Sequence, residues 1–268
     1  MERLVPDGQV GRRLSKLLAP LLDDPARAGI ISDFDGTLAA IVDDPAAARP
    51  LPGAVELLHR LADHYGAVAV VSGRPVAFLA RYLDLAPGRR LQVSGVYGLE
   101  SWDGAAAAGP DRFSDWRPVV ASVADRAEAE APPGVLVERK CLTVTVHYRT
   151  APEAEPWVRR FAADQAARTG LAAHPARRSE ELRPPVPVDK GTVVSDLASG
   201  LAAVCFVGDD LGDLPAFAAL DALAATSGLA AVKVAVASAE APPALLELAD
   251  LVVDGPAGAL AVLTALLP

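Results

Sequence analysis

Residues 30–38 read Ile-Ile-Ser-Asp-Phe-Asp-Gly-Thr-Leu, a short apolar run that ends in two aspartates one residue apart. Such a run is typical of a buried parallel strand, and both carboxylates then follow its carboxyl end. Open α/β sheets bind ligands at that edge, so Asp33 and Asp35 can approach one bound group if the chain turns at Asp35. The alternative is structural, because Asp and Thr before an apolar run also cap helices.

Length and composition limit what this stretch can belong to. The chain has 268 residues, 51% of them apolar, and no apolar run long enough to cross a bilayer. Its basic N-terminal segment runs into a short apolar patch at residues 17–22, which predicts an amphipathic helix and a cytoplasmic protein. A net charge of −9 disfavours nucleic acid, whereas a small phosphorylated substrate fits if positive charge is local. We expect a monomer.

The two cysteines are far apart and follow no ligand spacing. Cys141 and Cys205 therefore argue against a disulfide framework and against a zinc site. Both are predicted to be core thiols.

Two different patterns of apolar and polar residues divide the chain into segments. Near both ends, apolar runs alternate with helical patterns, which predicts a mostly parallel sheet with helices on its faces. The predicted strands are 30–32, 67–71, 91–94, 204–207, 232–237 and 251–253, and the predicted helices are 52–65, 189–200 and 256–267. From about residue 101 the pattern differs: residues 142–149 alternate apolar and polar, as in a half-buried antiparallel strand.

The central segment is therefore predicted to be a separate α+β domain inserted into a doubly wound α/β core. Its expected elements are a hairpin of residues 135–138 with 142–149, a helix at 153–169 and a strand at 177–183. We place the core at residues 1–106 and 187–268 and the inserted cap at 107–186. Along the last strand one face carries Arg177, Ser179, Glu181 and Arg183, and this face can bind a polyhydroxylated ligand or be solvated.

Three further groups follow strand ends or begin helices. Ser72 comes directly after the second strand, where a hydroxyl and backbone amides suit a phosphate oxygen, although an ordinary helix cap is equally compatible. Lys190 begins a helix, where it is either a surface residue or a cation beside a phosphoryl group. Asp209, Asp210 and Asp213 would repel one another unless they share a hard metal ion or splay into water.

The short motifs described above, taken in their order along the chain, resemble those of the haloacid dehalogenase phosphohydrolases. They are Asp33-Phe34-Asp35-Gly36-Thr37, then Ser72, Lys190, and Gly208-Asp209-Asp210 with Asp213. More narrowly, the chain resembles the trehalose-6-phosphate phosphatase family. That resemblance rests on Asp43-Asp44-Pro45 with Arg49-Pro50, Ser72-Gly73-Arg74-Pro75, Gly98-Leu99-Glu100, Val137-Glu138-Arg139-Lys140, Val146-His147-Tyr148-Arg149, and Glu181-Leu182-Arg183-Pro184 before Asp189-Lys190-Gly191.

The resemblance implies an aspartyl-phosphate mechanism with Asp33 as nucleophile and Asp35 as general acid and base, assisted by Ser72 and Lys190. It implies Mg²⁺ at Asp33, Asp35, Asp209 and Asp213. It also implies a sugar phosphate bound by Arg74, Gly98, Glu100, Glu138, Lys140, Arg177 and Glu181.

The chain departs from this pattern at two places. Tyr97 stands where the family commonly has His, and Gly212 and Leu214 stand where it has Thr and Glu. These departures bear on the sugar more than on the reaction. The open alternatives are a phosphatase of another sugar phosphate, such as sucrose 6-phosphate or mannosylglycerate phosphate, a phosphotransferase, and a non-catalytic domain that keeps the fold.

Overall fold

A computed structural model describes residues 8–102 and 113–267 of the chain, with side chains from Arg13 onward. The described strands are β1 Ala28–Ser32, β2 Ala67–Val71, β3 Gln92–Gly95, β4 Glu100–Trp102, β5 Leu136–Lys140, β6 Thr143–His147, β7 Ala172–Ala176, β8 Ser179–Arg183, β9 Ala203–Gly208, β10 Ala230–Ala237 and β11 Leu251–Asp254. The described helices are α1 Gly8–Asp23, α2 Ala54–His64, α3 Val76–Leu79, α4 Arg117–Glu130, α5 Glu155–Thr169, α6 Lys190–Leu197, α7 Leu214–Ser227, α8 Pro243–Leu248 and α9 Gly255–Ala265.

The described residues divide into two compact units. One contains the chain up to residue 102 and from Val188 onward, and the other contains residues 113 to 187. The predicted boundary between residues 106 and 107 lies outside the described residues. The other predicted boundary, between 186 and 187, is one residue from the division before Val188 and stays a prediction.

The first unit is built on a seven-stranded sheet in the order β11-β10-β9-β1-β2-β3-β4, in which all neighbours are parallel except β3 and β4. The predicted mostly parallel α/β sheet is confirmed. Every residue of β1, β2 and β9 is buried, because helices cover both faces of the sheet. This explains why these strands read as continuous apolar runs.

Strand β1 lies where the strand order reverses. From β1 the chain runs outward through β2 and β3 on one side, and it returns to β9, β10 and β11 on the other. A crevice opens at such a switch point, outside the carboxyl ends of the strands. Ser32 pairs with Val70 of β2 and Val207 of β9, so the residues after all three strands meet at this edge.

The second unit is a four-stranded antiparallel sheet in the order β5-β6-β8-β7, with α4 and α5 on one face. Its core alternates along the strands, with Val144, Val146 and Leu182 packed against helix residues such as Phe161. The predicted α+β character is confirmed. Strand β7 was not predicted, since its sequence Ala-Ala-His-Pro-Ala has little β propensity and depends on pairing with β8.

Other sequence predictions have mixed outcomes. Helix α1 occupies the predicted amphipathic segment, and no helix among the described residues is long and apolar enough to cross a membrane. Cys205 is a core thiol, and burial raises its pKa to about 12. The prediction for Cys141 is wrong: it is exposed, because it lies in the two-residue turn between β5 and β6 and not on a strand that lines the core.

Candidate active site

The turn after β1 fixes the first aspartate beside β9. The backbone N–H of Asp33 donates to Val207 O at 2.9 Å, and the next residues fold back through three backbone hydrogen bonds to Phe34 O. Gly36 lies in this turn with φ +78°, and a Cβ there would collide with the carboxylate of Asp209. Glycine is thus required both for the backbone conformation and for the close approach of Asp209.

Four aspartates converge at this edge of the sheet. One carboxylate oxygen from each of Asp33, Asp209, Asp210 and Asp213 lies within 4.8 Å of the others. Burial raises the pKa of Asp33 well above its usual range, and the other three carboxylates raise it further, against the lowering effect of Lys190. Hard oxygen ligands at this spacing fit a divalent cation, which offsets such repulsion.

Lys190 provides the positive charge within this group. Its Nζ lies 2.8 Å from Asp33 Oδ1 and 2.6 Å from Asp213 Oδ1, and the side chain is only 2% exposed. Burial alone would lower its pKa, but the carboxylates of Asp213 and Asp33 outweigh burial and raise the pKa above its ordinary value. The alternative of a surface lysine is therefore wrong. Asp189 caps helix α6 through Thr192 and fixes where this lysine begins the helix.

Asp213 connects the lysine to the loop after β9. Its Oδ1 accepts from Lys190, while its Oδ2 accepts the backbone N–H groups of Asp209 at 2.8 Å and Asp210 at 3.0 Å. A Cβ at Gly208 would collide with the Asp213 carboxyl group. Asp213 therefore orients both Lys190 and the loop that carries the neighbouring aspartates, a role the sequence motif did not reveal.

The loop after β2 contacts the second aspartate of the first motif. Arg74 donates two hydrogen bonds to Asp35, from Nε to Oδ2 at 2.6 Å and from Nη2 to Oδ1 at 2.8 Å. Ser72 is buried, and its Oγ accepts the Arg74 backbone N–H at 3.2 Å. Arg74 was predicted to bind substrate, and it lies where it holds the Asp35 carboxylate by a bidentate, charge-assisted contact.

The segment after β3 supports this same loop. Tyr97 N–H donates to Ser72 O and Val96 N–H donates to Arg74 O, each at 3.0 Å. The Glu100 carboxylate accepts the backbone N–H of Val76 at 2.7 Å, at the start of α3. Glu100 therefore anchors the loop, while its predicted role in substrate binding, like that of Gly98, stays a prediction.

In the second unit, a row of polar side chains crosses the sheet face opposite the helices. The register places Glu138 opposite Thr145, Thr145 opposite Glu181, and Glu181 opposite His174. Glu181 Oε1 accepts hydrogen bonds from Lys140 at 3.1 Å and from two threonine hydroxyls, Thr143 at 2.8 Å and Thr145 at 3.2 Å. This face carries a connected network of charged and hydroxyl groups.

The alternative of a solvated face is wrong at its centre. Glu181 is 2% exposed and Lys140 is 8% exposed, so this pair of opposite charges is buried. Arg177 was predicted to continue the same strand face, but β8 begins at Ser179, and Arg177 lies in the turn after β7. Arg178 at φ 49° makes that turn tight and ends the period-two alternation.

Sequence reasoning missed several members of these clusters. In the first unit, the metal ligands implied by the resemblance left out Asp210, although the sequence had already grouped its carboxylate with those of Asp209 and Asp213 as a candidate metal site. In the second unit it omitted Thr143, Thr145 and His174. Pairing the predicted hairpin residue by residue would have placed both threonines opposite the Glu138 and Lys140 pair, but His174 lies on the strand that was not predicted.

Comparison with known proteins identifies the family. A family model described as trehalose-phosphatase matches residues 31–247, which is most of the chain. The chain belongs to the trehalose-phosphatase family. The trehalose-phosphate phosphatase of Mycobacterium leprae is 34% identical over 235 residues, covering 78% of this chain and 53% of that protein. That of Mycobacterium avium is 38% identical over 201 residues, covering 71% and 51%.

The fold of this chain is also similar to that of a solved structure. The C-terminal domain of C. albicans trehalose-6-phosphate phosphatase superposes with a TM-score of 0.76 at 24% identity, covering 94% of this chain and 96% of that one. The expected haloacid dehalogenase-like fold with an inserted α+β unit is confirmed. The chain spans about half the length of the curated relatives it matches.

Proposed function

We propose that the chain is a phosphomonoester hydrolase that removes phosphate from trehalose 6-phosphate. The observation that carries the proposal is the buried contact of Lys190 with Asp33 inside the group of four carboxylates, in a chain of the trehalose-phosphatase family. Such a group concentrates a nucleophile, a cation and candidate metal ligands at one point, which is what displacement at phosphorus needs.

In the first step, Asp33 Oδ2 attacks phosphorus while Lys190 holds Oδ1. The phosphorus–oxygen bond to the sugar breaks, and the leaving oxygen takes a proton from Asp35. Both oxygens of Asp35 accept one hydrogen bond from Arg74, which orients the carboxyl group and leaves a lone pair on each oxygen for the proton transfer. In the second step, Asp35 takes a proton from water, which attacks the aspartyl-phosphate and frees inorganic phosphate. Ser72 would donate to a phosphoryl oxygen throughout.

We further propose that the resident cation is Mg²⁺. The side chains of Asp33 and Asp209 would hold it together with the backbone carbonyl of Asp35, while Asp213 orients the loop. When bound, the ion would supply charge neutralisation for the phosphoryl group. Three contacts on Asp213, from Lys190 and two backbone amides, support the orienting role over direct coordination.

Phosphate release tests the reaction and its substrate together. We expect release from trehalose 6-phosphate to exceed that from glucose 6-phosphate and sucrose 6-phosphate, with Mg²⁺ present. Excess chelator, or the substitution Asp209→Ala, should reduce it about 100-fold or more, because the buried carboxylates and the substrate phosphate then repel one another. Full activity in chelator would refute the proposed metal dependence. A preference for another sugar phosphate would refute trehalose 6-phosphate as the substrate.

For sugar recognition we propose the polar network of the second unit, through Glu138, Lys140 and Glu181, together with Arg177 in the turn after β7. Buried, mutually paired polar groups suit hydroxyls of a ligand because each unsatisfied partner is costly.

Replacing Glu181 by Gln keeps the shape and removes the charge that Lys140 contacts at 3.1 Å. We expect kcat/KM for trehalose 6-phosphate to fall about 10- to 100-fold, the range for a charge-assisted hydrogen bond.

The neighbouring residue offers a matched control for that prediction. Glu180 alternates to the opposite side of β8, towards α5, so Glu180→Gln should leave kcat/KM nearly unchanged. Hydrolysis of p-nitrophenyl phosphate, which has no sugar, should be equal in the parent and both variants. If Glu181→Gln also loses this generic activity, the residue supports the fold and not the sugar site.

A further inference from the structure

The side chain of Tyr97 lies against two glycines on two different loops of the first unit. A Cβ at Gly73 would lie 2.7 Å from both Cζ and Oη of Tyr97, and a Cβ at Gly212 would lie 3.4 Å from its Cε1. Gly73 belongs to the loop that carries Ser72 and Arg74, and Gly212 to the loop between Asp210 and Asp213. The ring therefore occupies the space that a side chain at position 73 would need, and it would be in van der Waals contact with a Cβ at position 212.

The backbone around this ring is held in an uncommon conformation. Val96 at φ 49° and Tyr97 at φ 58° are consecutive non-glycine residues in the left-handed region, which side chains with a Cβ rarely adopt. Such backbone persists only where surrounding contacts fix it, and it clusters at functional sites. Here the fixing contacts are the two hydrogen bonds from Val96 and Tyr97 to the Ser72–Arg74 loop.

We propose that Tyr97 is a positioning residue whose ring sets the spacing between the Ser72–Arg74 loop and the Asp210–Asp213 loop. This inference rests on the proposed function, in which both loops serve the phosphoryl group. The ring acts on the phosphoryl side of the reaction, because its contacts are with these two loops. The two departures from the family pattern are also neighbours in space, since a Cβ at 212 would contact the ring at 97.

Removing the ring tests the positioning role. Tyr97→Ala should lower kcat about 10- to 100-fold, as expected for misplaced reacting groups, with KM changed less than about threefold. The loss should be the same for trehalose 6-phosphate and for p-nitrophenyl phosphate, which share only the phosphoryl group. Tyr97→Phe keeps the ring and should retain kcat within about twofold. The thermal midpoint of each variant should stay near that of the parent.

The pairing with Gly212 is tested by a double-mutant cycle. Gly212→Thr puts a branched side chain against the ring and should lower kcat, whereas the same change in a Tyr97→His background should cost much less. Each background serves as the control for the other, because any effect of the threonine on Asp210 is common to both. Additive losses would overturn the pairing.

Other outcomes overturn the positioning role itself. A loss confined to the sugar phosphate would make Tyr97 a specificity residue, an equal loss in Tyr97→Phe would assign the effect to the hydroxyl, and a matching collapse of the thermal midpoint would make it structural. If the parent hydrolyses p-nitrophenyl phosphate but not trehalose 6-phosphate, the proposed substrate is wrong, and the kcat of Tyr97→Ala on the generic substrate still decides this inference.

Discussion

Replacing Asp33 by Asn should reduce turnover about 1,000-fold or more, because an amide of nearly the same shape cannot act as the nucleophile. The fold should be retained. Lys190 keeps its contact with Asp213 at 2.6 Å, and the change removes a charge from a buried group of carboxylates that already raise the pKa of Asp33. Steady-state phosphate release gives the turnover, and the thermal midpoint reports the fold.

A matched control is Asp221→Asn, which makes the same chemical change at an exposed residue paired with Lys233. Its turnover should equal that of the parent. Appreciable turnover by Asp33→Asn in a clean preparation would show that another group attacks phosphorus. Inactivity together with a collapsed thermal midpoint would show that Asp33 is needed for folding, and the nucleophile assignment would lose its support.

Replacing Lys190 by Met should have the largest effect on stability. The change leaves the buried carboxylates of Asp33 and Asp213 without their cation, and breaking a buried pair in this way costs about 3–5 kcal/mol. Turnover should fall about 100-fold or more as well, since the charge beside the nucleophile is lost. Urea denaturation gives the free energy of unfolding, and phosphate release gives the turnover.

The destabilisation of Lys190→Met should depend on pH. Folding raises the pKa of Asp33, so the folded state favours its protonated form. The cost of the buried charge is therefore absent below the ordinary pKa of an aspartate and appears as the pH rises through the raised value. We expect a smaller loss of unfolding free energy near about pH 5 than near about pH 8. The opposite trend would contradict this assignment of the charges.

Lys233→Met is the matched control for both measurements, the free energy of unfolding and the turnover. Lys233 also contacts a carboxylate at 2.6 Å, but its partner Asp221 is 51% exposed. A surface pair of this kind contributes about 0–1 kcal/mol, so stability and turnover should change little. An equal loss in the two variants would mean that the enclosure of Lys190 adds nothing to its ion pairs.

The parallel sheet was predictable because a buried strand appears in the sequence as a continuous apolar run. The runs at residues 67–71 and 204–207 are continuous and apolar, and each falls on a strand of the first unit. The antiparallel hairpin was predictable from period-two alternation at residues 142–149, but its strand β6 is not half-buried as predicted, because Thr143 and Thr145 on the polar face are buried as fully as Val144 and Val146. Strand β7 left no such record, since its residues acquire strand structure only by pairing with β8.

By itself, the sequence determined which chemical groups follow each strand, because an apolar run and the polar residues that end it are local features. Only the tertiary structure decided which of these groups meet. Arg74 contacts Asp35, Asp213 holds Lys190, and Tyr97 lies between Gly73 and Gly212, and each contact joins segments that are distant in sequence. Side-chain direction and strand order set these contacts, and neither is encoded by spacing along the chain.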